Sequence, residues 1–579
     1  MRLLHIELDA PVERFMRRSL FVLDPEDTCD KAARVMNDND VGSVLVGKKG
    51  KPVGIVTERD MLQKVLGGER PPSETKLVEI MSAPVITISL RASVREALEL
   101  MAHHGFRRLL VTEDEKPVGI IAQRFTIQEE VGFLRSKAYK PAKDAMRYHP
   151  FYRGKVEVNL KVPVRSFDDF AIWYTPGVAE PCKDIQRHVE RVYDHTNKGN
   201  SVAIVTDGTR VLGLGDIGPK AALPVMEGKA LLFRYLGGVD AYPICLDTSD
   251  PDEIIQAVKW LQPAFGAVNL EDIAQPKCFR ILDRLREEAE IPVWHDDQQG
   301  TATVVLAGIL NSLKVVGKKR GEVSVSMIGA GAASIRTARL LITAGFNPDD
   351  IIMADSKGIL HEGRKELRDS YPEKWEMCKT TNREGRTGGI HEAMADTDIV
   401  IALSTPGPGV IKAENIEGMA DDAIVFACAN PIPEVWPWEA SSAGAKVVAT
   451  GRSDFPNQVN NSLGFPGIFR GALDVRARTI TDGMLIAAAK ELARIAEERG
   501  LATEQILPTM EEWEVFPREA VAVGMMAQKE GVAASKVSKK TLYEEARDRI
   551  QRSRDIVQKC MEDGFILEPP SEETVIYGA

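Results

Sequence analysis

The 579-residue chain contains no run of about 18 consecutive apolar residues, the length a helix needs to cross a bilayer, and no membrane span is expected. Its first residues, MRLLHIELDAPVERF, carry acids where a secretion signal would carry an apolar stretch, so none is expected. There is no CxxC pair; the seven cysteines (29, 182, 245, 278, 378, 428 and 560) are scattered and odd in number. That pattern argues against a structural zinc and suits a reducing cytoplasm. There is no dominant basic block either, and a net charge of −11 makes nucleic acid a poor partner.

What is present is an ordinary globular composition, 44% hydrophobic and 27% charged. The length exceeds one core, so three or four domains are expected. The chain begins with a repeat. Residues 30–60 and 95–125 match at a constant offset, Ala32 with Ala97, Met36 with Met101, Leu45 with Leu110 and Val46 with Val111, followed by KPVGI at 51–55 and 116–120. Each unit reads as a helix, a strand, a turn and a second strand, too small to bury its own apolar face, so the two should pack as one domain. A charged stretch at 133–155 reads as helix and linker. Strands then alternate with helices: VAIVT (202–206), VDAYPICL (239–246), helices over 252–261 and 275–289, IPVW (291–294), and VSVSMIGAGAAS (323–334). From about 481 the tail is helical, with Pro508 and Pro517 dividing it. Such alternation predicts α/β sheets with parallel strands.

Two glycine loops occur, Gly213-x-Gly215-x-x-Gly218 and Gly329-x-Gly331-x-x-Ser334. The second follows an apolar strand, opens a helix with apolar spacing at Ile335, Ala338, Leu341 and Ile342, and precedes a strand, IIMAD, ending at Asp355. In that βαβ arrangement helix-terminal N–H groups hold a pyrophosphate and the acid binds an adenine-ribose hydroxyl. Asp355 points to NAD, whereas Lys357 would offset its charge and admit NADP; the residues leave both open. The first loop is followed by Pro219 and Pro224, so no helix is expected after it, only a tight turn bringing backbone near the active site.

Acids collect at Glu271-Asp272 in NLEDIAQP and at Asp297 in VWHDDQQGT. Adjacent acids usually form a solvated face, but both pairs end strand-like runs, where ligands gather in α/β sheets. An all-oxygen set suits Mg²⁺ or Mn²⁺ rather than zinc. His295 reads as an orienting group rather than a ligand.

Seven segments, YTPGVAEPC (174–182), TDGTRVLGLGDIG (206–218), PVMEGKALLF (224–233), NLEDIAQ, HDDQQGTA, CANPIPE (428–434) and NNSLGFPGIFRGALD (460–474), together resemble the malic enzymes in order from roughly 140 to 560. The resemblance implies a substrate and metal domain over 138–310, a Rossmann-type NAD(P)-binding domain over 311–475, a C-terminal helical segment over 476–579, and oxidative decarboxylation of L-malate. It implies that Tyr174 is the general acid, Lys229 the general base with Asp296 beside it, and Glu271, Asp272 and Asp297 the metal ligands. Arg210 falls where some members place a malate-binding arginine. Asn430 and Asn461 match substrate-contacting amides, and Asn460 lies nearer the nicotinamide ribose. Asp216 is a motif acid without an assigned role. The chemistry needs such a set. Loss of hydride from C2 requires the hydroxyl proton to leave, and a lysine starting near pKa ~10.4 must be lowered to take it. The enolpyruvate left after CO₂ departs needs a proton at C3, which Tyr174 would supply.

The repeats resemble a cystathionine-β-synthase-type (CBS) domain pair over 12–130. The first unit keeps GIVTERD, where Thr57 suits a phosphate and Asp60 a ribose diol; the second reads GIIAQRF, with Ala122 and Phe125 in those places. One adenine-nucleotide effector site is therefore expected, against the alternatives of a purely structural module and of Asp60 capping a helix that begins at Met61. Competing readings are a malolactic enzyme, a nucleotide sensor with a decayed enzyme part, and a dehydrogenase without decarboxylation. The resemblance in both parts implies a homodimer or higher homo-oligomer.

Overall fold

A computed structural model describes residues 11–122, apart from 15, 40, 49–50, 69, 95, 98–99, 102–107 and 114–115, and residues 143–569. The second repeat's Phe125, most of its helix and residues 133–142 of the expected linker lie outside the described residues. The chain forms two compact units, residues 1–148 and 149–579.

In the first unit each repeat makes a three-stranded sheet, in the orders β1 (Val22–Leu23)–β2 (Ser43–Lys48)–β3 (Lys51–Thr57) and β4 (Thr87–Ser89)–β5 (Arg108–Glu113)–β6 (Lys116–Ala122). The two hairpins slip register at corresponding places, between Val46 and Gly47 and between Val111 and Thr112. The repeated glycine of KPVGI has a packing cause. A Cβ at Gly54 would lie 2.5 Å from Met81 Sδ, and one at Gly119 would lie 2.6 Å from Met16 Sδ. The repeats are also interlaced. Arg17 and Ile120 exchange backbone hydrogen bonds of 2.9 Å, so a segment preceding the first repeat completes the second. Ser82 and Ile55 do the same at 2.9 and 3.0 Å, completing the first.

The second unit holds two parallel sheets. One runs β10 (Val293–His295)–β9 (Ala267–Leu270)–β7 (Ser201–Thr206)–β8 (Asp240–Cys245). The other runs β13 (Gly358–Ile359)–β12 (Ile351–Asp355)–β11 (Val325–Ile328)–β14 (Ile399–Ala402)–β15 (Ile424–Ala427)–β16 (Val447–Thr450), with only β13 antiparallel. Strands β7, β9 and β10 are buried on both faces, which is why they read as unbroken apolar runs rather than alternating ones. In the larger sheet the chain moves outward on both sides of β11, so the crevice for a ligand opens after β11 and β14.

Helix Asp296–Val316 follows β10 and runs across the 310/311 division expected between domains. By length and composition it could cross a bilayer, but most of its side chains are buried in the core of the unit. Two proline expectations are corrected. The loop ending at Gly218 does open a helix, the 20-residue Gly218–Gly237. Pro219 occupies its first turn, where an N–H has no intrahelical partner to lose, and Pro224 is accommodated inside. Pro517 likewise sits in the first turn of Val515–Lys529 and does not interrupt it; Pro508 does fall between helices Asp482–Glu498 and Val515–Lys529. The last helix is Lys539–Glu562. All seven cysteines are unpaired.

Candidate active site

The C-terminal ends of three neighbouring parallel strands build the site. Glu271 and Asp272 follow β9, Asp296 and Asp297 follow β10, and Asp207 to Arg210 follow β7. Glu271, Asp272 and Asp297 each offer a carboxylate oxygen, and these oxygens lie within 4.8 Å of one another. Asp272 is held from all sides. Its amide donates to Asp297 Oδ2 at 3.0 Å, its carbonyl accepts from the Arg210 amide at 3.0 Å, and its φ of +54° turns the backbone into the left-handed region. Its Oδ2 is buried without a hydrogen-bond partner, an orphan acceptor aimed into an acidic cluster. Burial and the neighbouring Asp297 push the Asp272 carboxyl up to about 8. Burial, and then its acidic neighbours against the pull of Lys229, raise Glu271 as well. Repelling, half-satisfied oxygens of this kind fit a hard divalent cation.

Lys229 enters from helix Gly218–Gly237, the element the prolines appeared to forbid. Its Nζ lies 2.5 Å from Asp296 Oδ2, 3.0 Å from Glu271 Oε1 and 4.3 Å from the Phe465 ring centroid. Burial alone would lower this ammonium, but the two carboxylates outweigh it and hold it above the ordinary lysine value. Asp296 also accepts from Trp294 Nε1 at 3.2 Å and from Asn461 Nδ2, and Glu271 accepts from Asn269 Nδ2 at 2.8 Å. Of these supports only Asn461 was singled out from sequence, and there as a substrate-contacting amide rather than a partner of Asp296; Trp294, Asn269 and Phe465 carry no local signal. His295 is fully buried, 3.7 Å from Asp297 Oδ2, with both ring nitrogens unpaired, and burial keeps it neutral.

Arg210 contributes only its backbone here and its side chain is exposed, as is Asp216. Asn430 is exposed in the loop after β15. Asn460 uses its side-chain oxygen to cap the short helix Asn461–Leu463. Tyr174 is not brought to Lys229: it is 72% exposed, and its hydroxyl makes no hydrogen bond among the described residues.

At the dinucleotide crevice Gly329 has φ +107°, and a Cβ there would lie 2.5 Å from the Leu403 carbonyl oxygen. Gly331 caps helix Ala332–Thr343, and a Cβ on it would meet nothing within 4 Å, leaving open space before the helix N-terminus. Ser334 Oγ is buried and unpaired at the same place. This fits a pyrophosphate. Asp355 ends β12 as expected, but its carboxylate is already claimed. Arg364 reaches it at 3.0 and 3.3 Å, Lys374 at 3.1 Å, and the Lys357 amide at 2.9 Å. These partners overcome burial and hold Asp355 below the usual carboxylate range.

In the first unit Thr57 caps a short helix, Glu58–Asp60, and a π-helical segment, Met61–Leu66, begins after Asp60 as expected, although the Asp60 side chain makes no cap bond to it. The Thr57 hydroxyl donates to Asp60 Oδ2 at 2.6 Å, and Lys64 Nζ pairs with Asp60 Oδ1 at 2.7 Å.

A parallel sheet ending in an acidic cluster and a buried lysine, beside a dinucleotide-binding sheet, defines a nicotinamide-dependent oxidoreductase. Residues 153–286 match the model of the malic enzyme N-terminal domain and 298–528 that of the malic enzyme NAD binding domain. Residues 12–67 and 77–124 match the CBS domain. The chain is 50% identical over 404 residues to a bifunctional malic/malolactic enzyme of Bacillus subtilis, covering 70% of this chain and 97% of that protein. It is 50% identical over 380 residues to an NAD-dependent malic enzyme of Geobacillus stearothermophilus, covering 66% and 78%. The crystal structure of Entamoeba histolytica malic enzyme superposes with a TM-score of 0.74 at 48% identity, covering 76% of this chain and 92% of that one. The chain belongs to the malic enzyme family and carries a CBS pair at its N-terminal end.

Proposed function

We propose that the protein oxidises and decarboxylates L-malate to pyruvate and CO₂, with reduction of NAD or NADP and dependence on Mg²⁺ or Mn²⁺. The observation that carries this reading is Lys229 Nζ seated between Asp296 and Glu271 at the rim of the acidic cluster. Glu271, Asp272 and Asp297 would hold the cation, which supplies Lewis-acid polarisation of the malate C2 oxygen. Gly329, Gly331 and Ser334 would hold the pyrophosphate of the nicotinamide cofactor, the hydride acceptor. Lys229 would first pass its ammonium proton to Asp296, which Trp294 and Asn461 fix beside it, and the neutral amine would then take the C2 hydroxyl proton. Glu271 engaged by the cation would leave Asp296 as the one carboxylate raising the lysine, which weakens the hold on its proton. Asn430 and Asn461 donate to the substrate, with Arg210 as a further candidate, and Tyr174 protonates C3 of enolpyruvate.

Tyr174 needs a second copy of the chain to do so. It belongs to a stretch in which Val158 is 82%, Leu160 72% and Phe167 88% exposed, an apolar strip that a monomer has no reason to carry. A homodimer in which this strip seats on its partner would cover the apolar side chains and deliver Tyr174 to the partner's lysine.

The cation ring around Asp355 supports acceptance of NADP as well as NAD, because Arg364 and Lys374 neutralise the carboxylate that would repel a 2′-phosphate. The name of the Bacillus subtilis relative favours a second reading, a malolactic outcome with lactate released. At the CBS pair, an adenine nucleotide at Thr57 and Asp60 would have to replace the bonds these residues make to each other. A tenfold effect on turnover needs only ~1.4 kcal/mol of differential binding. One assay tests the set: malate and Mn²⁺ with NAD or NADP, with and without AMP, ADP or ATP. Reduced cofactor, pyruvate and CO₂ in equal amounts are expected. Lactate without net cofactor reduction selects the second reading, no metal-dependent turnover removes both, and nucleotide binding without a kinetic change leaves the CBS pair structural.

The acidic cluster gives a pH prediction. Asp272, pushed up to about 8, must lose a proton to ligate a cation, so Mn²⁺ affinity should rise with pH and level off above that value. Calorimetry in buffers of different ionisation heat should register proton release. Folding binds this proton more tightly than the unfolded chain does. The metal-free protein should therefore lose stability as pH climbs from the unfolded value of roughly 4 towards 8, and Mn²⁺ should restore it. Affinity that does not vary with pH would contradict the assignment of Asp272 as a ligand.

A further inference from the structure

The loop CANPIPE, residues 428–434, leaves β15 and presents Asn430, whose side-chain amide makes no hydrogen bond among the described residues. Everything around it is fixed. Glu434, fully buried, accepts from the Ala429 amide at 3.0 Å and from the Ser404 amide and hydroxyl at 2.8 and 3.1 Å. On the other flank Arg452 grips Asp454 with two parallel bonds, Nε to Oδ1 at 2.8 Å and Nη2 to Oδ2 at 2.7 Å. Its remaining arm, Nη1, donates to the Pro431 carbonyl oxygen at 2.7 Å, one residue after Asn430. Its guanidinium carbon lies 5.9 Å from the Trp436 ring centroid and 5.7 Å from that of Phe455, and the side chain is only 14% exposed. Two glycines leave room for the arrangement. A Cβ on Gly451 would lie 2.6 Å from Asn430 Nδ2, and one on Gly213, in the first glycine loop, would lie 3.3 Å from the Asn430 carbonyl oxygen.

We propose that Arg452 is a positioning residue for malate: it fixes Pro431 and so aims the free Asn430 amide at a carboxylate oxygen of the substrate. The proposal rests on the reading of Asn430 as a substrate-contacting amide. Only a guanidinium can hold a carboxylate bidentately and reach a carbonyl with a third donor at once; a lysine ammonium has one nitrogen for all three. The two clamps divide the work. Glu434 also ties down Ser404, at the crevice after β14, so it serves the cofactor side too, whereas, among the described residues, the Arg452 side chain bonds to Asp454 and Pro431 and to nothing in the loop after β14.

The test uses the full-length Mn²⁺ enzyme and compares Arg452→Met, Arg452→Lys, Asn430→Ala and the double variant Arg452→Met/Asn430→Ala. Of the three bonds that Arg452→Met removes, loss of the charge-assisted one to the Pro431 carbonyl should raise the malate KM about tenfold. kcat and the NADH dissociation constant read by fluorescence should stay near those of the parent, the melting temperature should fall because Asp454 loses its bidentate partner, and Arg452→Lys should recover part of the loss in KM. Asn430→Ala should raise the malate KM at least as much, and the double variant should be no worse than Asn430→Ala alone, since both act through one amide. Additive losses, an unchanged malate KM in Arg452→Met, or a fall in cofactor affinity would overturn the proposal. An unchanged malate KM in Asn430→Ala would instead remove the reading of Asn430 on which it stands.

Discussion

Lys229→Ala is expected to abolish malate oxidation while leaving NADH binding intact. A positioned general base contributes roughly 10²–10⁴ in rate, and the carboxylates left behind are far weaker bases than an amine. The neighbouring groups are Asp296, Glu271, Asn461 and Trp294, and the two carboxylates are the partners that hold the lysine in place. The substitution also strands Asp296 and Glu271 in a buried site without their cation. Breaking a buried pair in this way typically costs about 3–5 kcal/mol, so the metal-free variant should melt earlier than the parent, with Mn²⁺ recovering part of the difference. The dinucleotide crevice, built after β11 and β14, should not register the change. Fluorescence titration with NADH checks that, and single-turnover absorbance checks hydride transfer. Normal turnover would take the lysine out of the mechanism.

Mixing two inactive proteins should restore activity. Tyr174→Phe is expected to slow protonation of enolpyruvate far more than hydride transfer, which a direct assay of pyruvate tautomerisation would reveal. If Tyr174 serves the partner's site, a heterodimer of Tyr174→Phe and Lys229→Ala subunits has one site with both groups intact and one with neither. Random pairing makes half the dimers mixed, so about a quarter of parental activity should return. Native mass spectrometry with differently tagged subunits verifies that exchange has occurred. Mixed dimers without recovered activity would assign Tyr174 to its own chain and leave the apolar strip to another role.

The acidic cluster was legible because each acid follows an apolar run, and parallel strands put their C-terminal ends side by side. The lysine's helix was not, because Pro219 and Pro224 read as breakers; a proline in a helix's first turn gives up nothing the helix would have used. The ion pairs around Asp355 were half legible. Lys357 is next door in sequence, whereas Arg364 and Lys374 reach it only through the fold. The clamp on Asn430 was invisible for the same reason, since Arg452 and Pro431 come from the ends of different strands. Asp60 carries a ligand motif and a local network at once. Its motif predicts a ligand, yet its carboxylate is satisfied locally by Thr57 and Lys64.

The interlaced repeats make the N-terminal module a closed circuit rather than two beads on a string. A chain that began at Leu20 would keep the first repeat whole, with Ser82 on Ile55 and Met81 over Gly54. The damage would appear a hundred residues downstream, where Ile120 loses both bonds to Arg17 and Gly119 loses the thioether that covers it. The second repeat therefore cannot be excised or exchanged as a contiguous piece, and it reaches its folded form only when the module's earliest and latest segments are both available.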